Sequence, residues 1–243
     1  MRLLITRPLH QVHATLDVLQ SDGHQCITSP MLNRQFLDLP QPTGKVQMIV
    51  FTSRNAVEGL ARLWSGTVPD HITAYAVGTA TREAAIVAGF SKTIACSGNA
   101  RDLVAEVSSS LQLKAPGQAA NLQILYPCAL QPAHDLVALF ALQGLNCSAW
   151  PVYKMEETEE FSSEARSALL SGQVDGVLLY SARSAKTFAK LFLQLESPAK
   201  IPELFAFSES ICNVLPLTLA KTCRFAKKPH ENELRLILTQ NEN

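Results

Sequence analysis

The chain contains one strand–turn–helix pattern twice, about half its length apart, and this repetition constrains the fold more than any other feature. The segments IVFTSRNAVEGLARLW (49–64) and LLYSARSAKTFAKLF (178–192) each have an apolar run, a turn of hydroxyl and basic residues, and an amphipathic stretch. Further pairs align at a shift of 130, namely 75–85 with 205–215 and 93–107 with 223–237, and 3–26 aligns with 123–147 at a shift of about 120. Four repeated units in the same order indicate an internal duplication.

Each repeated unit has the periodicity of a strand followed by a helix. Unbroken apolar runs are typical of parallel strands covered on both faces, and the stripe of Leu9, Val12, Leu16 and Leu19 predicts an amphipathic first helix. Alternation of this kind predicts an α/β fold of two open, doubly wound parallel sheets with right-handed crossovers. The predicted strands are Leu3–Thr6, Met48–Phe51, Ala74–Val77, Ile124–Tyr126, Val174–Leu179 and Leu204–Phe207.

Composition narrows the possible functions. The formal net charge is zero, so no global basic field would gather nucleic acid, and any anionic ligand must be held by local groups. No apolar run approaches the roughly 20 residues of a membrane span, and the start MRLLITRP predicts no signal peptide. The six cysteines show no CxxC spacing, which favours reduced, buried thiols and a cytoplasmic location.

Motifs for nucleotides and metals are missing from the sequence. There is no GxGxxG, P-loop or Cys/His ligand pattern, and His10 and His13 lack an evident third ligand. We therefore expect neither a cofactor nor a metal.

The domain boundaries are open to two interpretations. The chain could divide into contiguous halves near LKAPGQAAN (113–121). Alternatively, linkers at 33–44 and 151–163 would fit a chain that begins one domain, builds the second whole, and then returns to the first. Sequence physics does not choose between these arrangements.

Several motifs, in their order along the chain, resemble the uroporphyrinogen-III synthase family. They are LLITRP, VFTSRNAV, YAVGTAT, ILYPC, WPVYKMEE and LLYSARSAKTF. The resemblance covers essentially the whole chain and implies two flavodoxin-like domains joined by a two-segment linker. The expected domains are 1–36 with 155–243, which form one discontinuous α/β domain, and 37–154, inserted between them.

The activity implied by the resemblance is the cofactor-free cyclisation of hydroxymethylbilane to uroporphyrinogen III, with loss of water and inversion of ring D. The ligand is expected between the domains, in a protein that is expected to be monomeric and to bind no nucleic acid or membrane. The alternative function, from a different class, is a non-catalytic bilobal protein that binds a small anion.

The implied substrate is a polycarboxylate, and helix N-termini suit carboxylates because they present unpaired N–H groups and a partial positive charge. Arginine side chains just past strand ends could add bidentate contacts. The candidate substrate-binding residues are Arg7, Thr52, Ser53, Arg54, Asn55, Gly78, Thr79, Thr81, Ser181, Ala182, Arg183, Ser184, Ser208 and Ser210. Glu209, between the last two serines, would repel a carboxylate unless it points away.

Tyr153 is the candidate catalytic residue. It follows the strand-like stretch CSAWPV, and the family keeps a tyrosine at the matching place. Its expected role is to orient or protonate the departing hydroxyl, leaving an azafulvene that ring D attacks to form a spiro intermediate. A phenol has an ordinary pKa of about 10, which favours orientation over full proton transfer.

Overall fold

The computed structural model describes residues 1–64, 68–69, 71–114, 122–228 and 230–239. The chain folds into two compact units: unit 1 comprises Met1–Arg34 and Met155–Asn243, and unit 2 comprises Gln35–Lys154. The chain therefore passes from one unit to the other twice. Most of the sequence break considered at 113–121 lies outside the described residues.

The elements alternate between strand and helix along most of the chain. The strands are β1 (Arg2–Ile5), β2 (Gln25–Thr28), β3 (Leu32–Phe36), β4 (Val46–Phe51), β5 (Thr73–Val77), β6 (Thr93–Cys96), β7 (Gln123–Ala129), β8 (Asn146–Glu157), β9 (Gly176–Leu179), β10 (Glu203–Ala206) and β11 (Cys223–Phe225). The helices are α1 (His13–Ser21), α2 (Arg54–Leu63), α3 (Thr79–Val87), α4 (Ala100–Lys114), α5 (Leu136–Ala141), α6 (Ser163–Leu170), α7 (Ala182–Leu193), α8 (Glu209–Cys212), α9 (Leu217–Ala220) and α10 (Glu231–Thr239).

Two sheets organise these elements. One has the strand order β11-β10-β9-β1-β2 and is parallel at each of these pairings. The other has the order β3-β8-β7-β4-β5-β6, and its pairings from β8 to β6 are parallel. In both sheets the strand order departs from the sequence order, as in a doubly wound fold. The predicted fold class is confirmed.

Helices cover both faces of the first sheet. Leu4 of β1 packs in a cluster with Phe188 of α7, whereas its neighbours Leu3 and Ile5 pack in a second cluster with Leu234 of α10. Successive strand residues point to opposite faces, so this division places β1 between two helical layers. Burial on both faces explains why the central strands read as unbroken apolar runs.

The first predicted helix needs a correction. Val12 and Leu19 are buried as predicted, but Leu9 is 61% exposed. The reason is that Leu9–Gln11 form a 3₁₀ turn and α1 begins only at His13, so Leu9 does not share the buried stripe of the helix.

The expectation of reduced cysteines also needs a correction, since Cys212 and Cys223 form a disulfide with their Cα atoms 5.9 Å apart. Cys212 ends α8 and Cys223 begins β11, an approach that depends on tertiary packing and has no sequence motif. Other cysteines are free, and Cys96 and Cys128 among them are buried. Burial raises the pKa of Cys96 to about 12, so that thiol stays protonated and unreactive.

Two classes of feature are missing from the described residues. Within those ranges no helix combines the length and apolar character needed to cross a membrane. Nor do the described His, Cys, Asp and Glu residues form a group of three or more that could hold a metal ion.

Candidate substrate-binding turns

In unit 2, the first candidate turn follows the carboxyl end of β4. Ser53 adopts an extended conformation and caps α2, because its Oγ accepts a hydrogen bond of 3.2 Å from the N–H of Ala56. Thr52 and Ser53 are both half-buried. Their hydroxyls thus lie at the edge of the sheet where the parallel strands end, which is where open α/β sheets bind ligands.

Two tyrosines back this turn from neighbouring strands. The hydroxyl of Tyr126, on β7, lies 3.4 Å from the Thr52 hydroxyl, and that of Tyr153, on β8, lies 3.3 Å from the Ser53 hydroxyl. The tyrosines are only 3% and 8% exposed, respectively. Desolvation raises the pKa of Tyr126 to about 12, so this phenol is neutral near pH 7 and able to donate a hydrogen bond.

Tyr126 did not emerge from the sequence as a site residue. Its approach to Thr52 requires that β7 pair directly with β4, although the two strands are far apart in the chain. The motif ILYPC contains the only available signal, a tyrosine at the end of an apolar strand.

The other candidates of unit 2 differ in accessibility. Arg54 is exposed and Asn55 is half-buried, both in the first turn of α2. Gly78 precedes α3 with a φ of +74°, a conformation that favours glycine, and Thr79 after it is exposed. Thr81 is only 7% exposed, so Gly78 and Thr79 are the accessible candidates of this turn.

In unit 1, the matching turn follows β9. Ser181 is extended and caps α7, accepting 3.1 Å from the N–H of Ser184, and the two serine hydroxyls lie 2.8 Å apart. Ser184 is buried, whereas Ala182 and Arg183 are half-buried. The Arg183 guanidinium lies 3.5 Å from the carboxylate of Glu157. Ser181 therefore caps its helix as Ser53 does. The hydroxyl beside Ser181 belongs to a second serine, whereas the hydroxyl beside Ser53 belongs to a tyrosine.

A second turn of unit 1 follows β10. Ser208 precedes the short helix α8 in an extended conformation, and its hydroxyl lies 2.9 Å from that of Ser210. Ser208 makes no side-chain cap to the helix. Glu209 between them is exposed.

Arg7 lies in an ionic and aromatic cluster of unit 1. Its Nη1 donates to Thr15 Oγ1 at 2.8 Å and to the Glu231 carboxylate at 3.1 Å. The guanidinium carbon lies 4.2 Å from the ring centre of Tyr180, whose hydroxyl donates to Glu231 at 3.2 Å. Burial is the main reason that the pKa of Tyr180 is well above its usual value. Glu231 thus already supplies one carboxylate partner to the Arg7 guanidinium.

A family model provides the clearest relationship to known proteins. Residues 14–234 match the model of uroporphyrinogen-III synthase HemD. No curated protein matches the sequence significantly.

Two solved structures extend the comparison to the fold. Uroporphyrinogen-III synthetase from Helicobacter pylori 26695 has 17% identity and a TM-score of 0.66, with 99% of this chain and 100% of the other covered. A mutant uroporphyrinogen III synthase from the extremely thermophilic bacterium Thermus thermophilus has 15% identity and a TM-score of 0.54, with 99% and 98% covered. Both share the architecture along nearly their full length. With the family model spanning most of its sequence, the chain belongs to the uroporphyrinogen-III synthase HemD family.

Proposed function

We infer that this chain is a uroporphyrinogen-III synthase, which closes hydroxymethylbilane to uroporphyrinogen III with loss of water and inversion of ring D. The observation that carries this inference is the family match over residues 14–234. That range includes the capping serines of both units and the tyrosines behind the first turn. The enzyme acts in the biosynthesis of heme and other porphyrins.

The domains of this enzyme are 1–36 with 155–243, and 37–154. The division of the structure into two compact units supports these limits, because its boundaries fall at Arg34/Gln35 and Lys154/Met155. The protein works as a monomer and without a cofactor, and its location is the cytoplasm, where reductants would act on the Cys212–Cys223 disulfide. Its zero formal charge gives no basis for binding nucleic acid or an anionic membrane surface.

The substrate's carboxylates bind to main-chain N–H groups at the starts of the helices. The first turn of a helix has N–H groups without intrahelical partners, and the helix dipole favours an anion there. Ser53 and Ser181 each accept a hydrogen bond from one such N–H. The proposed contacts are Thr52, Ser53, Arg54, Asn55, Gly78, Thr79 and Thr81 in unit 2, and Arg7, Ser181, Ala182, Arg183, Ser184, Ser208 and Ser210 in unit 1.

Tyr153 assists the loss of the hydroxyl group. As the C–O bond breaks, the pyrrole nitrogen supplies an electron pair to the exocyclic carbon and releases its N–H proton, and the departing hydroxyl gains one proton to leave as water. Tyr153 can donate a hydrogen bond to that oxygen while its own oxygen accepts from Ser53, 3.3 Å away. Such an accepted hydrogen bond stabilises the partial negative charge on the phenol oxygen. Ring D then attacks the azafulvene, and the enzyme contributes by holding it in position for the spiro route.

Turnover with separation of the product isomers tests this function. Hydroxymethylbilane closes spontaneously to uroporphyrinogen I, so the enzyme should shift the product to isomer III. An unchanged isomer ratio would favour the alternative, a non-catalytic small-anion-binding protein.

Two sets of variants test the assigned residues. Tyr153→Phe should lower kcat by about tenfold with the fold intact, the scale of one hydrogen bond that is made in the transition state. Ser53→Leu and Ser181→Leu should raise KM, because a bulky side chain would block the N–H groups of each turn. Wild-type kinetics in Tyr153→Phe would reduce that tyrosine to a packing role, and unchanged KM in the serine variants would move the ligand away from those turns.

A further inference from the structure

Two consecutive hydroxyl residues of unit 2 are each backed by a buried phenol. Thr52 lies 3.4 Å from Tyr126, and Ser53 lies 3.3 Å from Tyr153, in each case between hydroxyl oxygens. The catalytic proposal uses the second pair alone. The first pair has the same chemistry, and its phenol belongs to β7, the strand between β4 and β8.

The burial of Tyr126 determines how it can act. Only 3% of the Tyr126 surface is exposed, and its hydroxyl lies against that of Thr52, which is half-buried at the end of β4 and more accessible to a ligand. A phenol is more acidic than an alcohol and is the better donor of the two. When Tyr126 donates to the Thr52 oxygen, the threonine hydrogen is directed away from the phenol and is available to an acceptor outside the protein.

We propose that Tyr126 is a positioning residue, which orients the Thr52 hydroxyl so that it donates to a carboxylate of the linear tetrapyrrole. This inference rests on the proposed function and adds a residue to it. Tyr126 acts through Thr52 and has no contact with the reacting atoms. The hydroxyl is then fixed before the substrate arrives, so binding does not incur the entropy cost of ordering it.

A double-mutant cycle tests the coupling. Tyr126→Phe removes one oxygen and keeps the ring, and Thr52→Val removes the hydroxyl at nearly constant volume. Each should raise KM for hydroxymethylbilane about fivefold, the effect of one hydrogen bond, with kcat changed by less than about twofold. Because both changes disable the same contact, the double variant should resemble Thr52→Val alone. Thr52→Ser keeps the hydroxyl and should retain the wild-type KM.

Tyr75 offers a matched control. It is a buried tyrosine of the same unit, 2% exposed, and its hydroxyl donates to Ser110 on α4 at 2.9 Å. Tyr75→Phe therefore removes an equivalent hydrogen bond between hydroxyls at a site unconnected with Thr52. It should lower the unfolding midpoint about as much as Tyr126→Phe while leaving KM unchanged.

Three outcomes would overturn the proposal. Tyr126→Phe could have the same KM as Tyr75→Phe, or Thr52→Val could have the wild-type KM. The third outcome is a double variant whose increase in KM equals the product of the increases in the two single variants. If Tyr126→Phe does not fold, the comparison of Thr52→Ser with Thr52→Val decides whether the threonine hydroxyl meets the substrate, and equal KM values would reject the inference. Failure of the proposed function is distinct, because the wild-type protein itself would then yield only isomer I.

Discussion

Opening the Cys212–Cys223 disulfide should lower the free energy of unfolding of unit 1 by about 3 kcal/mol. The two cysteines are 11 residues apart in sequence. In the chain-entropy model, cross-linking a loop of this length removes about 3 kcal/mol of conformational freedom from the unfolded chain. The loop between the two cysteines contains α9, and Leu219 of this helix is buried in the cluster that also contains Leu4 and Phe188. The disulfide therefore closes a loop that packs against the core of unit 1.

Thermal unfolding with and without a thiol reductant measures this effect. A loss of 1 kcal/mol lowers the Tm of a protein of this size by about 2–4 °C, so reduction should lower it by roughly 6–12 °C. Cys212→Ala should show the lower Tm without reductant and should not respond to it. Adding Cys223→Ala should cause little further loss, because one covalent bond is being removed in either case.

Thiol titration provides the independent check. Of the six cysteines in the sequence, Cys26, Cys96, Cys128 and Cys147 are free, so the unfolded, unreduced protein should release four thiols. Six reactive thiols, together with a Tm that does not change when reductant is added, would refute this prediction. The cysteines would then be reduced, as the sequence led us to expect.

Three further changes probe the packing and charges of unit 1. Gly176→Ala should destabilise by about 1–3 kcal/mol, measured by urea unfolding, because the added Cβ would lie 2.6 Å from the buried aromatic ring of β10; unchanged stability would show that the ring can move. The hydrogen bond from the main-chain N–H of Arg2 is the main reason that the pKa of Asp175 is lowered. The ionised Asp175 therefore contributes fully to the free energy of unfolding above its unfolded pKa of about 4, and this contribution is lost as pH falls through its lower folded pKa. Asp175→Asn should therefore narrow the stability difference between pH 7 and pH 3, and an identical pH profile would contradict the assignment. Glu231→Gln should cost about 1 kcal/mol, since it leaves the Arg7 guanidinium without its carboxylate, and a urea midpoint equal to wild type would argue against that pair.

The sequence predicted central strands of both sheets and missed the strands at the sheet edges. All four residues of β9 are buried, and its apolar run is unmistakable in the sequence. By contrast, β11 has no fully buried residue, and β2 has only Ile27. Such edge strands are defined by their hydrogen-bonded neighbours and carry little apolar signal of their own.

The candidate site residues also differ in how far they can be predicted from local sequence. Ser53 and Ser181 were predictable because a serine before an amphipathic stretch is a local helix-start signal. Tyr126 and Glu231 were not predictable, since each contacts a residue that is distant in sequence. Tyr126 contacts Thr52 after β4, and Glu231 accepts a hydrogen bond from Arg7 after β1. A single sequence records no such pairing.

The duplicated turns have the same cap but different chemistry behind it. In unit 2 the Ser53 hydroxyl lies 3.3 Å from the phenol hydroxyl of Tyr153. In unit 1 the phenol of Tyr180, which immediately precedes Ser181, donates a hydrogen bond to the carboxylate of Glu231. That phenol also lies against the Arg7 guanidinium, so its O–H is already engaged within the protein. The two turns are therefore similar caps, and in the proposed mechanism acid assistance belongs to the Ser53 turn, whose hydroxyl lies beside that of Tyr153.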